Sequence, residues 1–389
     1  MKLSLGNSLP SPDAPNYAIE VVECCLALLI RCQASDLHLQ PRREHWDVAC
    51  RVDGVMQPMG QIPKSASSDP TARLMALANL PSYHAGTPQE GPLAWTDSRE
   101  QTHEIRLGIF PTVHGNRAVL RVVNSQRLRA DLNQLGFDSG TLEQLQNVCQ
   151  SRDGCLLIAG PAGSGKTTTL YACLSQIATG PTQRSVLTIE DPVEAVIDSI
   201  SQSQIQASSG MTLAAAMRAA VRQDAEVLLV SEIRDEETAE AVISASMTGH
   251  LCFSSIHAGS IGTTLRRLAQ MKLPDFALQS GLRGILCQRL LRVCCPACRQ
   301  SSKSPPDPNC QTCLGTGYSG RVPIAQMVTL SGTEIGQQVF DALADGKSSA
   351  QIDQLIQDAG LASLRQSAQQ LIDMKRTNKA EVFRVLGAA

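Results

Sequence analysis

The run Gly160-Pro161-Ala162-Gly163-Ser164-Gly165-Lys166-Thr167-Thr168 sets Gly160 and Gly165 either side of four residues and closes on a lysine and two hydroxyls. Glycines let backbone N–H groups crowd round phosphate oxygens, and a helix starting near Gly165 points its positive end at them. Lys166 is then the cation for the β- and γ-phosphates, and Thr167 the hydroxyl that ligates Mg2+. The whole run is the candidate binding loop for a nucleoside triphosphate, ATP or GTP.

Two acidic strand ends lie downstream. "EVLLVSE" is a short apolar run that presents Glu232 at its end, where an acid can hold Mg2+ through water or orient an attacking water. "TIEDPVE" ends on Glu190, Asp191 and Glu194. Glu190 is the candidate general base there, although Asp191-Pro192 also reads as a plain turn. "TGHLCFSSIHAG" puts His250 and His257 at the two ends of a predicted strand, seven residues apart. Strand alternation sends them to opposite faces, which argues against both sensing one phosphate from this strand. Finally, Cys295-x2-Cys298 and Cys310-x2-Cys313 form two thiolate pairs with eleven residues between them, and Cys294 is an adjacent thiol outside the pattern. Each pair can bite one tetrahedral zinc, and the Pro, Ser, Asn and Gly between them suit a loop ordered by metal.

The elements that must position these groups follow from periodicity. "CLLIAG", "SVLTIED", "EVLLVSE" and "HLCFSSIH" are short apolar strands separated by helical stretches, the pattern of a parallel sheet with crossover helices. This α/β region covers 139–389 and includes a four-cysteine insertion at 294–321 and short amphipathic helices over 333–388. Ahead of it, residues 16–124 read as a small α+β domain. A helix there carries Ile19, Val22, Leu26, Leu29 and Ile30 at helical spacing, followed by "SDLHLQ" and "WDVACRVDGVMQ" as strands with a turn at Asp53-Gly54. Residues 61–100 read as loops with one helix near Thr71–Asn79, and "HEIRLGIF" and "NRAVLRVV" as an antiparallel hairpin. A Pro-rich, flexible start (1–15) and a polar linker (125–138) complete the division.

Composition excludes some classes of function. A net charge of −2 argues against a main role in neutralising nucleic-acid backbone, and 3% aromatics leaves few rings for stacking bases. No direct nucleic-acid partner is expected. No apolar run approaches the ~20 residues that span a bilayer, and the first residues lack a secretory signal's apolar core, so a soluble cytoplasmic chain is expected. Fourteen cysteines in that setting are buried thiols or metal ligands rather than disulfides.

Taken together, "GPAGSGKTTTLYA", "TIEDPVE", "RQDAEVLLVSEIRDEETAEAVISASMTGH" and the Cys pairs followed by "GYSGRVPI" resemble the ATPases of type II secretion and type IV pilus assembly. "ASDLHLQP", "RVDGVM", "PTVHGNRAVLRVV" and the tail "LRQSAQQLIDMKRTNKAEVFRVL" extend the resemblance over about residues 17–388. It implies a RecA-like P-loop motor, usually hexameric, with a PAS-like N-terminal domain and ATP sites between the two domains. It also implies attachment to a platform protein at the cytoplasmic face of the inner membrane. On that pattern Lys166 and Thr167 belong to the phosphate loop, Glu190 and Glu194 to an acidic box, and Glu232 to the Walker B acid. His250 and His257 fall on a histidine box, Arg106 and Arg121 on arginines that reach the nucleotide, and the four cysteines on a zinc-binding insertion.

Ser231 replaces a usual Gly, "HAG" a usual "HTN", Ala195 a common Tyr and Gln326 a common Glu. The Cys loop is shorter than usual, and the first N-terminal domain of longer members is not expected in this chain. A regulatory ATP-binding subunit with little turnover and a DNA-translocating motor stay open as alternatives to the secretion or pilus motor.

Overall fold

The structure, a computed structural model, describes residues 9–65, 68–81, 86–123, 131–206, 210–300 and 306–387. The first residues of the expected flexible start (1–8), part of the expected linker (125–130) and residues 301–305 of the Cys insertion lie outside the described residues. Contacts divide the chain into two units, Met1–Asn124 with Cys294–Gly320, and Ser125–Val293 with Arg321–Ala389.

The first unit is a six-stranded antiparallel sheet with two helices on one face. Helix α1 (Tyr17–Arg31) buries Val21, Val22, Cys25, Leu26, Leu28 and Leu29, a helical-period stripe. Its sheet, in the order β3-β2-β1-β6-β5-β4, comprises β1 (Asp36–Pro41), β2 (His45–Val52), β3 (Val55–Pro63), β4 (Gln89–Thr96), β5 (Thr102–Thr112) and β6 (Gly115–Val122). Leu37, Leu39, Val48, Cys50, Ile105, Leu107, Ala118 and Leu120 alternate onto the helical face with α1 and α2 (Pro70–Leu77). The opposite parity carries Arg51, Asp36, Arg121 and Arg106. The Cys segment joins this unit, with Gly320 N–H donating to Asp53 Oδ2 at 2.9 Å and Leu314 against the same core. Strand β4 corrects the loop expected between 61 and 100: Pro92 and Gly91 weaken its propensity, and pairing with β5 along its whole length overrides them.

The second unit is a seven-stranded sheet in the order β13-β12-β7-β11-β10-β8-β9. Its strands are β7 (Gly154–Ala159), β8 (Val186–Glu190), β9 (Ser201–Gln204), β10 (Val227–Val230), β11 (Leu251–Ile256), β12 (Leu282–Cys294) and β13 (Tyr318–Thr329). The run β12-β7-β11-β10-β8-β9 is parallel throughout. Strand β7 shows why both faces must be covered. Cys155, Leu157 and Ala159 enter one core, and Leu156 and Ile158 the other. Helices α3 (Ser139–Gln150) and α4 (Lys166–Thr179) lie on the second of these faces. The first takes α5 (Leu213–Ala220), α6 (Glu236–Met247), α7 (Ile261–Gln270) and α8 (Asp275–Gly281), with residues of α10 (Glu334–Ala344) and α11 (Ser349–Asp358). The short α9 (Pro296–Gln300) belongs to the Cys segment. The four expected motor strands are all present. The sheet adds β9, which is wholly polar, and β12 and β13, where Arg, Gln and Ser interrupt the apolar runs that would have marked them.

Of the last helices, α12 (Leu364–Asp373) packs Ala368 in one cluster with Leu291 of β12, and α13 (Lys379–Leu386) is fastened to β12 by one carboxylate. Glu381 is 1% exposed and accepts from Arg292 N at 3.0 Å, Arg292 Nε at 2.9 Å, Arg292 Nη2 at 2.7 Å and Arg384 Nε at 2.8 Å. Burial alone would raise its carboxyl pKa, but the hydrogen bonds from Arg384 and Arg292 overcome this and hold it down to about 2. With the folded value below the unfolded one, this contribution is complete above the ordinary carboxylate value of 4.5 and is lost as pH falls toward 2. Glu381→Ala should therefore cost about 3 kcal/mol at pH 7, since it removes a buried carboxylate that two guanidinium groups hold. Urea unfolding at pH 7 and pH 3 checks this: the gap between wild type and variant should narrow at pH 3, and an equal gap at both would make the role one of packing alone.

Candidate functional site

The phosphate loop joins β7 to α4 at the carboxyl edge of the parallel sheet, where open α/β sheets place their ligands. Helices α3, α6 and α7 each begin with a side-chain cap, from Asp138, Asp235 and Ser260. Helix α4 begins at Gly165 with no side-chain cap, so its first N–H groups are available to an anion. Two glycines are fixed by space as well as chemistry. Gly165 has φ +90°, and a Cβ there would lie 2.7 Å from Gln288 Nε2. A Cβ on Gly160 would lie 2.7 Å from the Gln288 carbonyl oxygen.

Gln288, on β12, braces the loop from behind. Its Nε2 donates to the Ser164 carbonyl at 2.8 Å, and its Oε1 accepts from Thr169 Oγ1 at 2.9 Å. Lys166 Nζ donates to the carbonyls of Gly160 at 3.0 Å and Pro161 at 3.1 Å. Its pKa is lowered, by burial first, against the raising influence of Glu232 and Glu194. Ser164 Oγ is buried with no hydrogen-bond partner among the described residues, which suits a loop whose polar groups serve a phosphate.

The acids fall into different environments. Glu232 lies just past β10 and keeps 16% of its side chain exposed. Its Oε1 lies 3.2 Å from His257 Nε2, and its Oε2 accepts from Arg234 Nε at 3.0 Å. Glu194 Oε1 accepts from Thr167 Oγ1 at 3.2 Å. Glu190 is 2% exposed, and both of its oxygens are occupied. Tyr171 Oη donates to Oε2, while Thr188 Oγ1 at 2.6 Å and Gln202 Nε2 at 3.1 Å donate to Oε1. The carboxylate that the sequence offers as a general base is thus engaged on both oxygens inside the protein.

His257 follows β11 at the site edge, and His250 precedes it at the other end. The His250 ring bonds the Ala245 carbonyl through Nδ1 at 3.2 Å, at the end of α6. The structure brings only His257 to the loop's edge, and the whole length of β11 separates the pair. The departures at Ser231 and "HAG" fit the edge. The Ser231 carbonyl accepts from Ser255 Oγ at 2.6 Å, and the Gly259 carbonyl accepts from Arg289 Nη2 at 2.7 Å.

In the first unit, Arg106 and Arg121 are direct cross-strand partners on β5 and β6. The same row continues through Asp36 on β1 to Arg51 on β2. Like charges directly opposite repel. Asp36, 3% exposed, offsets them: its Oδ1 accepts from Arg121 Nε at 2.7 Å, and Arg51 Nε lies 3.5 Å from Oδ2. The four cysteines of the insertion bring their sulfurs within 4.8 Å of one another, with Cys295–Cys310 at 3.7 Å and Cys298–Cys313 at 3.6 Å. Zn–S bonds of ~2.3 Å in a tetrahedron put sulfurs ~3.8 Å apart, so the set fits zinc.

Sequence reasoning missed Gln288, Tyr171 and Asp36. Tyr171 carried a signal, since it stands four residues after Thr167 on one helix and so on the same face. Gln288 carried none, because β12 itself was not legible.

Comparison with known proteins follows the same lines. The family model described as Type II/IV secretion system protein matches residues 14–384. The putative type II secretion system protein E of Escherichia coli is 32% identical over 410 residues, covering 99% of this chain and 81% of that one. The type IV pilus assembly ATPase TfpB of Acinetobacter baylyi is 34% identical over 408 residues, covering 99% of this chain and 68% of that one. Among solved structures, the Yersinia pseudotuberculosis ATPase DotB superposes with a TM-score of 0.74 at 19% identity, covering 98% of this chain and 96% of that one. The pilus retraction motor PilT with bound ADP gives 0.58 at 23%, covering 94% and 99%. At such identities these two establish the RecA-like fold and no more. The match across almost the whole sequence places this chain in the type II/IV secretion system protein family.

Proposed function

We propose that this chain is an ATP-hydrolysing motor that drives type II secretion pseudopilus or type IV pilus assembly. The observation that carries the reading is the meeting of Lys166, Thr167, Glu194, Glu232 and His257 at one sheet edge, in a chain of this family. Its relatives bear the names of secretion proteins and pilus assembly ATPases. Among the described residues no helix is long and apolar enough to cross a membrane. That accords with a motor working as a homo-oligomer, a hexamer on the family pattern, against a platform protein at the inner membrane's cytoplasmic face.

The backbone N–H groups of the loop through Thr168 cradle the β- and γ-phosphates of ATP, and Lys166 exchanges its two loop carbonyls for their oxygens. Thr167 and Glu232 are the residues that would hold Mg2+, which when bound neutralises charge on those oxygens. Glu232, partly exposed at the sheet edge, orients the attacking water, with His257 Nε2 3.2 Å from its carboxylate. Arg106 and Arg121 are assigned to the nucleotide on the family resemblance alone, as guanidinium groups able to neutralise phosphate charge.

Lys166→Ala should abolish turnover, at least a hundredfold, while circular dichroism stays that of wild type, because a loop charge is lost and no core residue is. Turnover within twofold of wild type would overturn the ATPase reading. Arg106→Ala and Arg121→Ala should each cost at least tenfold in steady-state hydrolysis, and Arg→Lys should be only partly tolerated, since a point charge does not reproduce the planar fork. Wild-type rates in both Ala variants would leave the first unit a docking module. For the insertion, elemental analysis of protein purified without chelator should find about one zinc per chain. Chelation should expose 294–321 to protease while the motor unit stays folded, and four freely titrating thiols with less than a tenth of a zinc would refute the site.

A further inference from the structure

Glu190, occupied on both oxygens and closed to water, poses the question of what a buried carboxylate does beside a phosphate loop. Its partners give the answer. Tyr171, fully buried on α4, donates its hydroxyl to Glu190 and accepts on the same oxygen from the Glu194 backbone N–H at 3.4 Å. One turn earlier on that helix, Thr167 Oγ1 donates to Glu194 Oε1 at 3.2 Å. Helix α4 therefore grips the 190–194 loop twice, by a side-chain hydroxyl at each end of one turn. Gln202 closes the far side: its Nε2 donates to Glu190 and to the Ala195 carbonyl at 3.0 Å, and its Oε1 accepts from Ile197 N at 2.6 Å.

We propose that Tyr171 and Glu190 are positioning residues, a buried hydroxyl–carboxylate pair that fixes the loop so that Glu194 meets Thr167 where the nucleotide's cation is held. The proposal rests on reading Thr167 and Glu194 as part of the ATP site. Three features of the pair suit a fixed point rather than a reacting group. Both side chains are sealed from solvent, and the donors that reach Glu190 among the described residues are neutral hydroxyls and an amide. Burial and the Glu190 bond both raise the Tyr171 pKa, so the phenol keeps its proton and stays a donor. A neutral set of donors holds a carboxylate in one orientation without giving it a charged partner to exchange with.

The test is ATP hydrolysis as a function of Mg2+ concentration, with thermal melting alongside, for wild type, Tyr171→Phe, Glu190→Gln and Lys166→Ala. Tyr171→Phe keeps the ring's packing and removes only the hydroxyl. It should lower kcat at least tenfold and raise the Mg2+ concentration for half-maximal rate at least fivefold, with ATP binding measured in EDTA unchanged. Glu190→Gln can still accept from Tyr171, so it should lose no more than about tenfold, whereas loss of a general base would cost far more.

Should Tyr171→Phe fail to fold, Glu190→Gln decides by its Mg2+ dependence, which should be weakened. A wild-type Mg2+ dependence in whichever variant folds, or near-complete inactivity of Glu190→Gln with a wild-type melt, overturns the proposal. Lys166→Ala separates the two levels. If it is inactive while Tyr171→Phe behaves as wild type, the positioning role alone fails, and if it turns over like wild type, the reading of the site itself has failed.

Discussion

A loop that cradles phosphate must keep most of its N–H groups turned toward an anion, and so it has few left to hold its own shape, such as Ser164 N on the Pro161 carbonyl at 3.3 Å. The shape has to be imposed from outside. Here Gln288 imposes it, reaching from β12 to grip Ser164 and Thr169 on either side of Gly165, at the spot where a Cβ would collide with its amide. β12 is in turn paired to β7, the strand from which the loop departs, and is tied at its far end by Arg292 to Glu381. Loop, sheet edge and C-terminal helices thus share one strand. A buried amide suits this task, because it donates and accepts at once and brings no charge into a site that must balance phosphates.

What could be read in advance follows from how local the signal is. The phosphate loop, the strand before it and the helix after it are adjacent in sequence, so motif and periodicity agree there. The Cys pairs likewise carry their spacing with them, and their sulfurs meet as that spacing requires. The strands β12 and β13 were hidden for the opposite reason. Arg283, Gln288, Arg289 and Arg292 break the apolar pattern of β12, yet each side chain has a partner elsewhere in the unit, such as Asp153 for Arg283 and Glu381 for Arg292. Polar residues that a strand turns to long-range use look, from sequence, like a loop.

Charge in the first unit shows the same limit. Arg106 and Arg121 are visible as strand residues flanking a turn, and the hairpin makes their approach foreseeable. That they stand directly opposite is a matter of register, and the repulsion this creates calls for a counter-charge from a third strand. Asp36 lies 85 residues from Arg121 and meets it only because β1 pairs with β6. Topology, and not local sequence, assigns that partner.

The two glutamates at the sheet edge make the strongest case that environment rather than residue type sets a role. Strands β8 and β10 are neighbours in register, with Ile189 level with Val230. Glu190 is still inside its strand, two residues after Thr188, so the period of two sends both to the face covered by α4, where Tyr171 waits. Glu232 lies two residues past the end of β10, free of that parity, and takes a histidine, an arginine and solvent instead. A carboxylate walled in by neutral hydroxyls and an amide differs from one that stands, partly exposed, beside a guanidinium and an imidazole. The difference comes from where each strand stops relative to its neighbour: Glu190 is enclosed by hydroxyls and an amide under α4, and Glu232 stands at the edge beside His257 and Arg234.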